Sequence, residues 1–227
     1  MRIVLGTLAA CVVVGSAAAG TAPVARNLVA TAPVKAQLRA TLRARIPAEQ
    51  RSKVRGPMPR RWPLPLAAVA YARRGDFAAS RRLLSLLDDP RVHAVYRVRE
   101  LEARSVLIVE EGTWDEAASV VEAARRHAEE ARAIGLAFHA DRLEGHLLRE
   151  RGDAAAARMS FSRALEGFAS LNARWEVAQT QLALAETLLD LGSPDEARPL
   201  LAEAEETFAR LRVPRELARA RALRERA

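Results

Sequence analysis

Several residue types and motifs are scarce or absent in this sequence of 227 residues. It has one cysteine, Cys11, which excludes an intramolecular disulfide framework, and it has no Cys/His spacing of zinc-site type. It also lacks a phosphate-binding glycine loop, a His-Glu-x-x-His motif and a serine motif of strand–turn–helix type. We therefore expect no catalytic residue, no metal and no cofactor, and we predict that the protein is not an enzyme.

Aromatic residues are also scarce, at 4%, whereas hydrophobic residues make up 50% of the chain. Ala, Leu, Arg and Glu recur throughout, and these residues have high helix propensity. The composition therefore predicts an all-α protein with enough apolar side chains for one sizeable core.

Acidic residues are nearly absent from the first quarter of the chain. Residues 1–61 contain 11 of the 36 Lys and Arg residues but only one of the 28 Asp and Glu residues, Glu49. The remainder, 62–227, is close to neutral, although the whole chain has a formal charge of +8. This distribution makes nucleic-acid binding by the larger part of the chain an unfavourable interpretation.

The N-terminal segment, 1–25, is hydrophobic and has no charge from Ile3 to Ala25. Because about 20 apolar residues can cross a bilayer as a helix, we predict a membrane anchor through residues 3–25. Basic residues beyond the segment favour a cytoplasmic location for the rest of the chain. Two alternatives remain open: export after cleavage behind Ser16-Ala17-Ala18-Ala19, or lipidation at Cys11, which ends a Leu-Ala-Ala-Cys sequence.

The next segment, 26–61, is basic and becomes proline-rich. Val34, Leu38 and Leu42 recur every four residues beside basic side chains, which predicts a short amphipathic helix. Five prolines between Ile46 and Pro65 then predict a linker. An alternative function is therefore binding of this segment to a membrane surface or to nucleic acid.

From Trp62 onward the sequence repeats with a period near 40 residues. Four glycines are spaced 37, 40 and 40 residues apart: Gly75, Gly112, Gly152 and Gly192. Each precedes a residue that favours a helix N-cap: Asp76, Thr113, Asp153 and Ser193. Because glycine readily ends a helix and the next side chain can begin another, each pair predicts a tight helix–turn–helix. Thr113 with Glu116, and Ser193 with Glu196, further predict capping boxes.

Small and apolar residues recur at fixed distances after these glycines. Five places later stand Ser80, Ala117, Ala157 and Ala197; nine places later stand Leu84, Val121, Phe161 and Leu201; twelve places later stand Leu87, Ala124, Ala164 and Ala204. These spacings put the three positions on one helical face. We therefore predict hairpins that bury their apolar faces by stacking on their neighbours.

This pattern resembles the tetratricopeptide repeat, in the turn Gly75-Asp76-Phe77 and in the alanine pairs Ala117/Ala124, Ala157/Ala164 and Ala197/Ala204. The resemblance covers about residues 62–227. It implies a right-handed superhelical array of about four antiparallel helix hairpins. The apolar run 3–25 separately predicts an N-terminal hydrophobic helix before this array. The repeats near Arg174 to Leu211 resemble long repeats in the C-terminal regions of bacterial transcription activators and serine/threonine kinases, which implies a signalling-associated scaffold.

Proteins of that family usually bind peptides on the face formed by the first helices of the hairpins. The groove positions of the family fall in this chain on eight residues: Arg99, Glu102, His139, Arg142, His146, Arg149, Gln179 and Glu186. In the third repeat, four potentially cationic groups recur at three- and four-residue steps, which predicts a preference for an acidic segment. Since Asp141, Glu144 and Glu150 are interleaved with them, a salt-bridged helix face is the alternative.

Three functions follow from these observations, in decreasing order of preference. The first is a scaffold that binds a protein or peptide partner, and the second is membrane or nucleic-acid binding through 26–61. The third is an enzyme with an unrecognised site, for which the sequence supplies no motif.

Overall fold

The computed structural model describes residues 64–87 and 94–227, which belong to one compact unit. In these ranges the chain forms nine α-helices and one 3-10 helix and has no β-strand, which confirms the predicted all-α class. The predicted membrane segment and the basic segment 26–61 lie outside the described residues. Within the described ranges, no helix combines the length and apolar character needed to span a bilayer.

The helices follow one another with short connections. Their bounds are α1 Leu64–Arg73, α2 Phe77–Ser85, α3 Ala94–Glu111, α4 Ala117–Glu130, α5 Ile134–Glu150, α6 Ala154–Ser170, α7 Arg174–Asp190, α8 Pro194–Leu211 and α9 Pro214–Arg226. The 3-10 helix, Trp114–Glu116, precedes α4. Helix α1 begins inside the predicted linker, because proline at its second position, Pro65, is tolerated in a first helical turn.

Packing between helices follows their order in the chain. Each helix contacts the next one, and each first helix of a pair also contacts the first helix of the following pair: α1 with α3, α3 with α5, α5 with α7, and α7 with α9. Helix α9 packs on α8 and α7. Each pair therefore buries its apolar face mainly against its neighbours.

The four predicted glycine turns are present, and each glycine has a positive φ between 72° and 82°. At Gly152, for example, the N–H of Asp153 donates to the carbonyl of Leu148 at 2.9 Å and the N–H of Gly152 donates to the carbonyl of Arg149 at 3.0 Å. These two bonds satisfy carbonyl groups at the end of α5 that would otherwise lack a partner.

Helix capping agrees with the prediction at two turns and differs at the other two. Asp76 and Asp153 each accept a hydrogen bond from a backbone N–H three residues later, at 3.0 Å. The predicted capping boxes at Thr113 and Ser193 are wrong, because neither side chain caps its helix. The Thr113 hydroxyl donates instead to Glu111, and Arg158 of the neighbouring hairpin donates to Glu196.

A second set of turns, which join the hairpins, was not anticipated. Their central residues, Arg132, Asn172 and Arg212, have φ between 52° and 55° and follow the previous turn glycine by 20 residues each. They form the same pair of backbone hydrogen bonds as the glycine turns. Two of the three positions, Arg132 and Arg212, carry arginine, which does not indicate a turn in a sequence.

The two kinds of turn predict stability changes of opposite sign. Gly152→Ala should lower the free energy of unfolding by about 1 kcal/mol, because alanine is strained at this φ although its Cβ would meet no atom within 4 Å. Arg132→Gly should raise it by roughly 0.5 kcal/mol, because the relieved strain exceeds the added entropy of the unfolded chain. Urea unfolding followed by circular dichroism measures both changes, and a stabilising Gly152→Ala would contradict this account.

The predicted core positions are buried. Ser80, Ala117, Ala157 and Ala197 have exposed fractions of 0%. The residues nine and twelve places after each glycine are also buried. Helices α5 and α6 approach closely at two further glycines, Gly145 and Gly167, whose Cβ atoms would collide with the rings of Phe161 and Phe138.

Candidate functional site: a polar face of the first helices

Charged side chains of α3, α5, α7 and α9 connect these helices on what we call the first-helix face. We define this face by nine residues: Arg99, Glu102, His139, Arg142, Arg149, Glu176, Glu186, Asp190 and Arg219. Six of them were predicted partner-binding residues. The face divides into two ion-pair networks, each of which bridges successive repeats.

The first network is centred on Arg142 of α5. Its guanidinium donates to Glu176 of α7 at 2.5 Å and to Nδ1 of His139 at 3.2 Å, and it lies 5.1 Å from the ring centroid of Phe168. On α3, Glu102 accepts from Arg99 at 2.6 Å and lies 3.9 Å from Nε2 of His139. Side chains of three consecutive repeats are thus in contact.

The surroundings of Glu176 and His139 shift the pKa values of both groups. Burial opposes the charge on Glu176, but Arg142, His139 and Arg73 outweigh it and lower the pKa of this carboxyl to about 2. Burial lowers the pKa of His139, which lies beside two arginines. At neutral pH we therefore expect Glu176 to be ionised and His139 to be neutral, with Arg142 donating to its unprotonated nitrogen.

The second network lies nearer the C-terminal ends of α5 and α7. Arg149 donates to Glu186 at 2.8 Å and to Asp190 at 2.6 Å, both on α7. Glu186 accepts in addition from Arg219 of α9 at 2.7 Å. This carboxylate therefore joins the third hairpin to the last helix, and it is held by two guanidinium groups.

His146 does not belong to either network. Its ring is packed between Phe161, at 4.9 Å between centroids, and Trp114, at 6.5 Å. Burial and the positive charges of Arg142, Arg219 and Arg149 lower the pKa of His146 to about 3. His146 is therefore a neutral packing residue at pH 7, so it does not add the cationic group that its sequence position suggested.

Two of the three acidic residues interleaved on α5, Asp141 and Glu144, lie in a third network with arginines of α4 and α6. Arg125 of α4 donates to Asp141 at 2.8 Å and to Glu144 at 2.8 Å, and Arg163 of α6 donates to Glu144 at 2.9 Å. The bond from Arg125 lowers the pKa of Glu144. Helix α5 is thus ion-paired on both sides, and the partners of its arginines come from α7.

The structure places the eight predicted residues in four different environments. Arg99, Glu102, His139 and Arg142 meet in the first network; Arg149 and Glu186 meet in the second. Gln179 is half-buried on α7, and His146 is half-buried against the rings of Phe161 and Trp114. Sequence reasoning missed Glu176, Asp190 and Arg219, because a single charged residue at the start, end or middle of a helix is ordinary and carries no sign of a partner on another helix.

Residues far apart in the sequence also meet close to this face. The guanidinium carbon of Arg73, at the end of α1, lies 4.7 Å from the ring centroid of Trp175 on α7. Arg215 of α9 donates to the backbone carbonyl of Arg73 at 2.8 Å and to Glu110 of α3 at 2.6 Å. These contacts, which we call the end clasp, connect the first helix of the described chain with the last.

Cavities near the face are small. One of about 210 Å³ is lined by Trp114, His146, Arg149, Glu150 and Asp190. No cluster of three or more His, Cys, Asp or Glu side chains suited to a metal ion occurs within 64–87 and 94–227. The arrangement offers extended polar contacts to a macromolecule more readily than an enclosed pocket to a small molecule.

The resemblance to the tetratricopeptide repeat rests on the sequence pattern alone. No family model, curated protein or solved structure matches the chain in the comparisons made with known proteins.

Proposed function

We propose that this protein is a non-catalytic scaffold for protein–protein interaction, with a superhelical array of tetratricopeptide type that binds a partner protein or peptide. The binding surface is the first-helix face. Residues 3–25 tether the chain to a membrane, and the repeats lie on its cytoplasmic side in a signalling-associated role.

The observation that carries this proposal is the continuity of the first-helix face over four helices. Glu102 of α3 lies 3.9 Å from His139 of α5, and ion pairs join α5 to α7 and α7 to α9. Several of these polar groups remain accessible. An extended segment of a partner could run along such a face and exchange hydrogen bonds with successive repeats. Helical repeat proteins use extended surfaces of this kind for recognition.

Charge on this face is balanced, which bears on specificity. Arginines and carboxylates alternate between neighbouring helices, so a partner gains little from net charge alone. It must present charged groups at the spacing of the repeats in order to replace the internal ion pairs. We therefore infer recognition by the order of charges along a segment, instead of by an acidic segment in general.

Site-specific photo-crosslinking in intact cells tests the proposal. A photoreactive residue at Gln179, beside the first-helix face, should form a discrete adduct with one partner protein. The same residue at Met159 of α6, which is 65% exposed, serves as a control and should not form this adduct. Equal crosslinking from both positions, or none from Gln179, would argue against binding through this face.

Membrane-surface or nucleic-acid binding through 26–61 is a second proposed function. The observation in its favour is the excess of basic residues there, with Glu49 as the only acid. Binding of the full chain to anionic vesicles or to DNA at low and high salt distinguishes it from the scaffold, because such binding weakens steeply with salt.

A further inference from the structure

In the end clasp, the guanidinium of Arg73 lies over the ring of Trp175, as a bound cationic ligand would. We propose that Trp175, Glu176 and Glu216 form a site for an arginine side chain of the partner, and that Arg73 of this chain occupies the site when no partner is bound. The inference rests on the proposed scaffold function and specifies the chemistry of its partner, a segment that carries arginine.

The site has the composition that a guanidinium group requires. Trp175 presents its ring to the guanidinium of Arg73 at 4.7 Å, within the range of a cation–π interaction. Burial lowers the pKa of Arg73, whereas the nearby carboxylates of Glu176, Glu216 and Glu110 act in the opposite direction. An aromatic face with surrounding carboxylates is selective for a cation.

Arg73 fills this site incompletely. Within the described part of the chain, the guanidinium of Arg73 forms no ion pair and no hydrogen bond, and it contacts the ring of Trp175. Glu216 likewise forms no ion pair among these residues. A guanidinium group has five donors suited to bidentate bonds with a carboxylate, so an arginine that enters from a partner can form bonds that Arg73 does not form.

The contacts that hold Arg73 in place are weak enough to be exchanged. Arg215 bonds to the carbonyl of Arg73 and to Glu110, but the side chain of Arg215 is 58% exposed. Ion pairs with this exposure are screened by solvent and contribute little to stability. A partner arginine can therefore displace the side chain of Arg73 from the ring of Trp175.

Displacement predicts a measurable competition between Arg73 and an external arginine. In Arg73→Met the site is vacated, and a methionine side chain can still cover part of the tryptophan ring. If Arg73 occupies the site in most molecules, its removal should increase the affinity for an arginine probe about tenfold. Arg74→Met is the matched control, because Arg74 is the exposed neighbour in the turn.

The probe is the blocked tripeptide acetyl-Gly-Arg-Gly-amide, and its citrulline analogue is the neutral counterpart. Each is titrated into the full chain in detergent micelles while the indole N–H resonance of Trp175 is recorded by NMR. We expect Arg73→Met to bind the arginine probe about tenfold more tightly than the unsubstituted chain and Arg74→Met to behave like that chain. The citrulline analogue should not shift the resonance.

Three results would overturn the inference: unchanged affinity in Arg73→Met, equal binding of the citrulline analogue, or binding that persists when Trp175→Leu is added. Binding to the Trp175→Leu variant is followed by isothermal titration calorimetry, because that variant lacks the indole resonance. If Arg73→Met loses its helical circular dichroism, Arg73→Gln replaces it, and an affinity unchanged in that variant counts equally against the site. If a partner is crosslinked at Gln179 but no variant binds the probe, the scaffold function is supported and this arginine site is rejected. If the probe binds but no partner is crosslinked, the arginine site is supported and the scaffold function is rejected.

Discussion

Replacement of Phe161 by alanine is expected to lower the free energy of unfolding by about 4 kcal/mol. The side chain has an exposed fraction of 0% and lies among buried residues of α6, α7 and α8. Its ring also packs against Gly145, where a Cβ atom would lie 2.8 Å away, and against His146. The substitution therefore removes contacts with the other helix of its own hairpin, α5, and with the following hairpin of α7 and α8.

The size of this effect follows from the way the hairpins depend on one another. A large residue deleted from a closely packed interior loses its transfer free energy and leaves a cavity that the surroundings fill only in part. The helices that would have to move to fill it, α5 and α6, are already in close contact at Gly145 and Gly167. Loss of packing between neighbours also reduces the coupling that holds successive hairpins together.

Urea unfolding of the full chain, followed by far-ultraviolet circular dichroism, measures this change. Met159→Ala on the same helix is the control, because that side chain is 65% exposed, and its effect should stay within about 0.5 kcal/mol. A loss below about 1.5 kcal/mol for Phe161→Ala would show that the interface relaxes around the cavity.

Acidification is expected to destabilise the protein through His146 at pH values where carboxylates are still ionised. The folded state keeps this ring neutral because its pKa is about 3, whereas the unfolded chain takes up a proton below the ordinary pKa of 6.5. The unfolded state thus binds more protons, and the free energy of unfolding falls as the pH falls from 6.5 towards 3. Between pH 6.5 and pH 5 the loss should be about 2 kcal/mol, and over the whole range roughly 4 kcal/mol.

Substitution of His146 distinguishes this effect from other titrations. His146→Phe keeps an aromatic ring between Trp114 and Phe161 but removes the titratable group, so the decline between pH 6.5 and pH 5 should become shallower by about 2 kcal/mol. The pKa of His139 is also lowered by burial, and this second histidine accounts for part of the remaining decline.

His127→Gln controls for the loss of a histidine outside the core, since His127 lies 3.5 Å from the exposed Glu130. The measurement is a series of urea unfolding curves at constant ionic strength. An unchanged slope in His146→Phe would mean that the ring is protonated in the folded state. The carboxyl of Glu176 has a pKa of about 2, so its contribution is lost only in more acidic solution, below about pH 4.5.

Much of the fold could be predicted from local patterns. The glycine and cap pairs located the turns within hairpins, and the small residues five places later located buried positions of the second helices, because both features depend on a few adjacent residues. The turns at Arg132 and Arg212 could not be predicted, since arginine adopts a positive φ there only under the constraint of the surrounding helices.

The positions of many candidate-site residues could be predicted from the sequence, but their bonding partners could not. Periodicity placed His139, Arg142 and Arg149 on α5, yet it could not show that Arg142 bonds to Glu176, 34 residues later, or that Arg149 bonds to Asp190. The pairing of Arg73 with Trp175 is still further from any local signal. Such contacts depend on how successive hairpins are oriented, and small changes in orientation exchange one partner for another.

By itself the sequence determined the helical class, the period of about 40 residues and the identity of the buried positions in 62–227. These properties follow from helix propensity, turn-forming residues and amphipathic spacing, all of which act over one or two turns of helix. The tertiary structure alone decided which charges neutralise one another, why His146 is neutral, and that Arg73 lies on Trp175. Electrostatic pairing and desolvation depend on distances between side chains from different hairpins, which exist only once the helices are stacked.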